Sequence, residues 1–288
     1  MSTSSPSAAP SADDVLLSER TGDVVVLTLN RPRAKNALSI ELRRQVTSAF
    51  RMFADDADLA AVLLTGAGDA FSAGVDLKEL GGESGSAAAT GSLAASDLDM
   101  VGAMRAGPVP IIGAVNGVAI TGGFELALAC DVIYASTAAR FADTHARVGI
   151  LPTWGMTVRL PRLVGLARAK ELSFGSQFLD AATAERWGLV NRVFEPDSLI
   201  PAAIALANEV AFADVPTVRA LKGLYDDAND AGFAAGFLHE IATAKVHMRS
   251  VKPADIAARR AAVQVGRGRS SGRPYRWVRL RAGDQERR

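Results

Sequence analysis

The chain is predicted to be an α/β protein with a helical C-terminal end. Short apolar runs of strand character, Val24–Leu29, Ala61–Thr65 and Val109–Val115, are separated by helical patterning, most clearly the amphipathic stretch Ile40–Ala54. From Ala181 onward the pattern is nearly all helical. Helices are expected over Ala181–Trp187, Leu199–Phe212, Val215–Ala228 with Pro216 in its first turn, Gly232–Met248 and Pro253–Val263. At 288 residues, 49% hydrophobic and 22% charged, the chain can bury the core of one large domain plus an appendage.

In chain order, Met1–Ala12 is rich in Ser, Ala and Pro and is followed by Asp13 and Asp14, which fits neither a secretory signal nor an Arg-rich transit peptide. It is expected to be disordered, as part of a segment 1–14. Gly81–Ser92, full of Gly, Ser and Ala, reads as a mobile loop. No apolar run reaches the ~18 residues a membrane-spanning helix requires. A net charge of +1 gives no global preference for polyanions, and the single Cys130, expected inside a buried helix, excludes an intramolecular disulfide framework. A cytoplasmic location is the default expectation. There is no internal sequence repeat.

The chemistry concentrates at Glu125. Its neighbours Phe124, Leu126, Ala127, Leu128, Ala129 and Cys130 are nearly all apolar, so a helix through them would be buried on all sides, and a carboxylate there must be paired or shifted in pKa. Gly122 and Gly123 stand where that helix would begin, and their unhindered N–H groups could face an oxygen carrying negative charge. The other reading is a structural Gly-Gly turn followed by a glutamate reaching the surface. A second glycine-bearing segment, Phe71-Ser-Ala-Gly-Val-Asp-Leu-Lys78, follows the strand Ala61–Thr65 through Gly66-Ala-Gly68 and suits a loop that turns a backbone N–H toward a ligand.

These two segments together resemble the paired signature of the crotonase (enoyl-CoA hydratase/isomerase) superfamily. Leu29-Asn-Arg-Pro-Arg-Ala-Lys-Asn-Ala-Leu38 resembles its N-terminal segment and Phe141–Arg162 its post-helix loop, so that the likeness spans roughly residues 15 to 265. The resemblance implies a ββα spiral core with a C-terminal helical region that builds a homotrimer or a pair of trimers. It implies an acyl-CoA substrate and no separate cofactor, coenzyme A being part of the substrate. The N–H groups of Val75 and Gly122 would form the oxyanion hole for the thioester carbonyl. Ala73, Asp76, Leu77, Lys78 and Arg33 would lie along the CoA path. Lys35 could also face its phosphates, although the charged side chains here read equally well as solvated surface.

Glu125 matches the first of two glutamates that serve hydratases of this family, the one that would deprotonate the attacking water. The second is expected twenty residues on, where this chain has His145. Imidazole titrates near neutrality and could exchange the proton at the α-carbon; Asp143, two residues earlier, would point to the same side of an extended chain and could orient it or act itself. The plainer alternative is that His145 only shapes the pocket. Trp154 could wall the acyl chain or simply pack in its loop.

Competing motifs are weaker. Gly66-Ala-Gly68 lacks the third glycine of a dinucleotide fingerprint, where Phe71 stands; His239-Glu240 lacks the second histidine of a zinc-protease motif, where Thr243 stands. No metal site is expected. The tail from Arg267, with Tyr275 and Trp277 among its arginines, could bind single-stranded nucleic acid but reads more simply as a solvated extension, so no nucleic-acid partner is expected. The sequence therefore predicts a spiral core over 15–198, a helical region over 199–266 and an Arg-rich tail over 267–288. The predicted activity is hydration of 2-enoyl-CoA, with Glu125, His145 and Asp143 in the site. The alternatives are enoyl-CoA isomerisation, acyl-CoA hydrolysis, or non-catalytic binding of acyl-CoA or RNA.

Overall fold

A computed structural model describes residues 14–76, 79 and 98–231. The expectations for residues 1–13, Leu77, Lys78, the Gly81–Ser92 loop, the helices beyond Gly232 and the Arg-rich tail lie outside the described residues. The chain separates into two compact units, Met1–Asp226 and Asp227–Arg288, and the first contains both sheets and the whole candidate site.

The chain opens with an antiparallel hairpin, β1 (Leu16–Thr21) and β2 (Val24–Leu29), closed by the two-residue turn Gly22-Asp23; Gly22 has φ +59°, which a residue without Cβ adopts freely. Helix α1 (Ile40–Asp55) follows. Ser39 caps it by accepting the Leu42 N–H at 3.2 Å, and its Leu42, Val46 and Phe50 face is buried.

Three strand pairs then repeat one pattern: β3 (Ala61–Gly66) with β4 (Ala70–Ser72), β5 (Ile111–Val115) with β6 (Val118–Ile120), and β7 (Val132–Ser136) with β8 (Arg140–Ala142). The first strand of each pair joins one sheet and the second joins another. Helix α2 (Met100–Ala106) precedes the second pair and packs on α1, while α3 (Gly122–Leu128) follows that pair. After β8 come α4 (His145–Val148), α5 (Met156–Val164), α6 (Leu166–Gly175), β9 (Leu179–Asp180), α7 (Ala181–Arg186), β10 (Arg192–Phe194), α8 (Pro196–Phe212) and α9 (Val215–Ala231). The larger sheet runs β1-β2-β3-β5-β7-β10, parallel throughout except for the β1–β2 hairpin; the smaller runs β4-β6-β8-β9, parallel except at β8–β9. This is the expected ββα spiral, and its repeat is geometric.

The large sheet is covered on both faces, which is why β3 and β5 are continuous apolar runs. On one face Leu199, Ala203 and Ala207 of α8 pack against Val24, Ala61, Leu63, Ile112, Ala114 and Tyr134. The other face joins the main core with Leu27, Val62, Leu64, Leu42, Val46 and Phe124. Two expectations need correction. Helix α3 ends at Leu128, so Cys130 lies just beyond it, still buried, because the chain must turn to enter β7 at Val132. Phe141–Arg162 is not a plain loop: it holds the end of β8, the single turn α4 and most of α5, separated where Gly149 and Gly155 take φ +73° and +106° to stop one helix and start the next.

Candidate active site

The two glycine-bearing segments meet at the ends of β4 and β6, adjacent parallel strands of the small sheet. Close backbone approach explains the glycines. A Cβ on Gly123 would stand 2.2 Å from the Ser72 carbonyl oxygen, and one on Gly74, whose φ is +89°, 2.7 Å from the Ile120 carbonyl oxygen and 3.2 Å from the Gly122 nitrogen. Val75 is held by a short parallel bridge to Leu38, in which the Leu38 N–H donates to the Gly74 carbonyl at 2.8 Å. Neither the Val75 nor the Gly122 N–H has an acceptor among the described residues. Both residues line one cavity of about 530 Å³, part of it open to solvent, together with Ala73, Glu125, His145 and Trp154.

Glu125 is 1% exposed. Its Oε1 accepts the backbone N–H groups of Trp154 at 2.8 Å and Met156 at 3.2 Å, which fixes the carboxylate and ties α3 to the start of α5. Its Oε2 lies 3.5 Å from Nε2 of His145, itself 6% exposed. On the far side of the ring, Nδ1 is 2.6 Å from Oδ1 of Asp143. Carboxylate, imidazole and carboxylate thus form one buried chain. Burial alone would lower the His145 pKa, but the hydrogen bonds and charges of Asp143 and Glu125 outweigh it and raise it to about 9. Asp143 is held below the ordinary carboxylate range: burial pushes it up, and its hydrogen bonds with His145 and with the Ser173 hydroxyl on α6 push it further down.

Asp143 and His145 do meet, but not through extended chain. Thr144 between them has φ −107° and ψ 14°, and the contact arises in a turn in which Asp143 Oδ1 also accepts the His145 backbone N–H at 3.1 Å. Thr121 and Thr144, which the sequence did not single out, also line the cavity, and their hydroxyls are 2.5 Å apart.

The sequence profile described as Enoyl-CoA hydratase/isomerase matches residues 19–248. The chain belongs to this family. A probable enoyl-CoA hydratase of Mycobacterium tuberculosis is 37% identical over 227 residues, covering 79% of this chain and 87% of the relative. A short-chain-enoyl-CoA hydratase of Clostridium acetobutylicum is 39% identical over 197 residues, covering 67% and 73%. Among solved structures, the enoyl-CoA hydratase from Mycobacterium tuberculosis H37Rv superposes with a TM-score of 0.68 at 43% identity over 82% of this chain and 100% of the other. The one from Bacillus anthracis gives 0.77 at 32% identity, with 82% and 92% covered. The fold is therefore the crotonase fold that the two glycine segments pointed to.

Within this family member, the remaining candidates divide. Ala73 and Trp154 line the cavity, and the Trp154 ring stands where a Cβ on Gly122 would come within 2.9 Å of it. The Asp76 carboxylate is engaged by Arg31 at 3.0 Å, a pairing that ties the N-terminal segment to the Val75 loop. Arg33 is exposed, does not line the cavity, and sits in a single 3-10 turn, Pro32–Ala34; Lys35 pairs with Asp69. Leu77 and Lys78 lie outside the described residues. Among the described residues no group of three His, Cys, Asp or Glu could hold a metal. The thiol of Cys130 is pushed up by burial and is a core group.

Proposed function

We propose that this protein hydrates 2-enoyl-CoA thioesters. The observation that carries the reading is the buried Glu125–His145–Asp143 chain opening on a cavity bordered by two N–H groups that have no acceptor among the described residues. With the thioester carbonyl between the N–H groups of Val75 and Gly122, negative charge developing on its oxygen meets two oriented donors. Glu125, fixed through Oε1, takes a proton from a water on its Oε2 side as that water's oxygen bonds to the β-carbon. The π electrons of the carbon–carbon double bond move to an enolate. His145 then gives its Nε2 proton to the α-carbon and the carbonyl re-forms, leaving a 3-hydroxyacyl thioester.

The proton ledger closes within the site. Glu125 ends protonated and His145 neutral, and the 3.5 Å between Oε2 and Nε2 is the path by which the proton taken from water resets the imidazolium. A raised pKa of about 9 supports the assignment, since the ring carries the proton it must donate at neutral pH. Asp143 holds Nδ1 and leaves Nε2 as the delivering atom. The chain thus has a proton donor where the family's second glutamate is expected. Reading the cavity as an acyl-CoA site also carries the expectations of a homotrimer or pair of trimers, of no cofactor beyond the substrate's own coenzyme A, and of a cytoplasmic location. Sedimentation of the purified protein tests the first of these.

The test of activity is loss of the ultraviolet absorbance of the conjugated enoyl thioester, with crotonyl-CoA and longer 2-enoyl-CoAs, comparing the parent with Glu125→Gln and His145→Ala. Fast loss in the parent that both substitutions depress is expected. An inert parent, or a fully active Glu125→Gln, would contradict the reading.

A further inference from the structure

Thr121 and Thr144 each occupy the position immediately before a helix that carries one of the two proton-transfer groups: Thr121 precedes α3 with Glu125, and Thr144 precedes α4 with His145. A threonine there ordinarily spends its hydroxyl on a free N–H of its own helix, which stabilises the helix end. Neither does so. The two hydroxyls bond each other at 2.5 Å instead, and the Thr121 oxygen also lies 3.3 Å from the Thr144 backbone N–H, which donates to it. The backbone of Thr121 is unusual as well. Its φ of 53° and ψ of −112° fall outside the regions open to a β-branched residue, a strained conformation that the surrounding contacts must hold. Its N–H is anchored on the Ala142 carbonyl at 2.8 Å and its carbonyl receives the Glu125 N–H at 2.9 Å. A forgone cap on each helix and a strained backbone thus coincide at a side-chain link between the turn before Glu125 and the turn before His145.

We propose that the Thr121–Thr144 hydroxyl pair is a positioning device that sets Glu125 against His145, holding Oε2 and Nε2 close enough to pass a proton while leaving room for the reacting carbons. The inference rests on the hydratase reading for the chemistry but not for the geometry. Asp143 and Glu125 are the charged groups that face the imidazole, and Asp143 is fixed by its turn and by Ser173. The backbone ties the two turns through the β6–β8 pairing and the Thr121 N–H on the Ala142 carbonyl, and the threonine pair adds the side-chain contact that sets their final spacing.

The experiment compares Thr121→Val, Thr144→Val, the double variant, Thr121→Ser and Thr121→Gly in the full chain. Two readouts are used: steady-state hydration, and the His145 imidazole resonances, assigned by their loss in His145→Gln. A shift of reacting groups well under 1 Å should lower kcat by about tenfold in each valine variant with KM unchanged. The double variant should be no worse than either single one, and Thr121→Ser should keep parental kcat. Thr121→Gly, which relieves the backbone, should melt no lower than the parent yet lose kcat like Thr121→Val. The His145 resonances and their titration should move alike in both valine variants and stay put in Thr121→Ser. Parental kcat and unmoved resonances in the valine variants, or strictly multiplying losses in the double variant, would overturn the proposal. A parent inert on every enoyl-CoA, with resonances that still respond as described, would sink the hydratase reading and uphold the pair.

Discussion

Replacing Asp143 by asparagine keeps the shape and an oxygen facing Nδ1 but removes the negative charge 2.6 Å from the ring. Burial then acts on His145 against Glu125 alone, and the ring's pKa falls from about 9 toward the ordinary value of about 6.5. The consequence for turnover depends on pH. At about pH 8 a ring of pKa about 9 is roughly 90% protonated, whereas one near 6.5 is roughly 3% protonated, a ratio of about 30; at about pH 6 the two differ by less than about twofold. Any loss from altered orientation is common to both conditions. The assay is kcat for crotonyl-CoA hydration by the parent and by Asp143→Asn across this range. The expected result is a defect that deepens by about tenfold or more between pH 6 and pH 8. A parent-to-variant ratio that stays constant across the range would refute the assignment of His145 as the proton donor.

Other expectations follow from the same geometry. Glu125→Gln keeps the hydrogen bonds from Trp154 and Met156 but cannot take a proton, so kcat should fall roughly 100- to 10,000-fold with KM little changed, measured with saturating enoyl-CoA. Gly122→Ala places a Cβ 2.9 Å from the Trp154 ring, so the ring must move; a stability loss of about 1–3 kcal/mol in urea unfolding and a fall in turnover are expected. Because the folded-state pKa of His145 is raised, the stability it contributes is fully present below its ordinary pKa and is lost as pH rises through about 9. The difference in melting temperature between the parent and His145→Gln should therefore shrink on going from neutral to strongly alkaline buffer. Asp143, whose pKa is lowered, behaves oppositely: its contribution is present above the ordinary carboxylate range and is lost as pH falls through its depressed folded-state value.

Strands and helices with strong periodicity could be read directly from the chain. Val24–Leu29 has the bounds the sequence predicted, and the helix predicted over Ile40–Ala54 runs one residue longer, to Asp55. The three-residue strands β4, β6 and β8 could not be read, because too few residues alternate and their pairing partners lie far along the chain. Glu125 stood out because a carboxylate in an apolar run demands a partner, and the partner was found in His145 and in two backbone N–H groups of the α5 entrance. Spacing alone could not supply the turn that brings Asp143 onto the ring, since a side chain folding back on its own backbone has no periodicity. Thr121 and Thr144 carried no signal at all. A threonine before a helix reads as a cap, and only the fold places these two side by side. Arg33 and Asp76 were placed along the CoA path by the family resemblance; in the fold Arg33 is exposed and the Asp76 carboxylate pairs with Arg31, contacts that spacing alone does not show.

The central claim, water addition through a Glu125–His145 pair, is tested most directly by running the parent with crotonyl-CoA in deuterium oxide and analysing the product by mass spectrometry. The account predicts a 3-hydroxyacyl-CoA that has gained one water and keeps one carbon-bound deuterium at the α-position after return to ordinary water, with no free CoA thiol released. Free thiol, or a product in which the double bond has moved without gain of water, would contradict it.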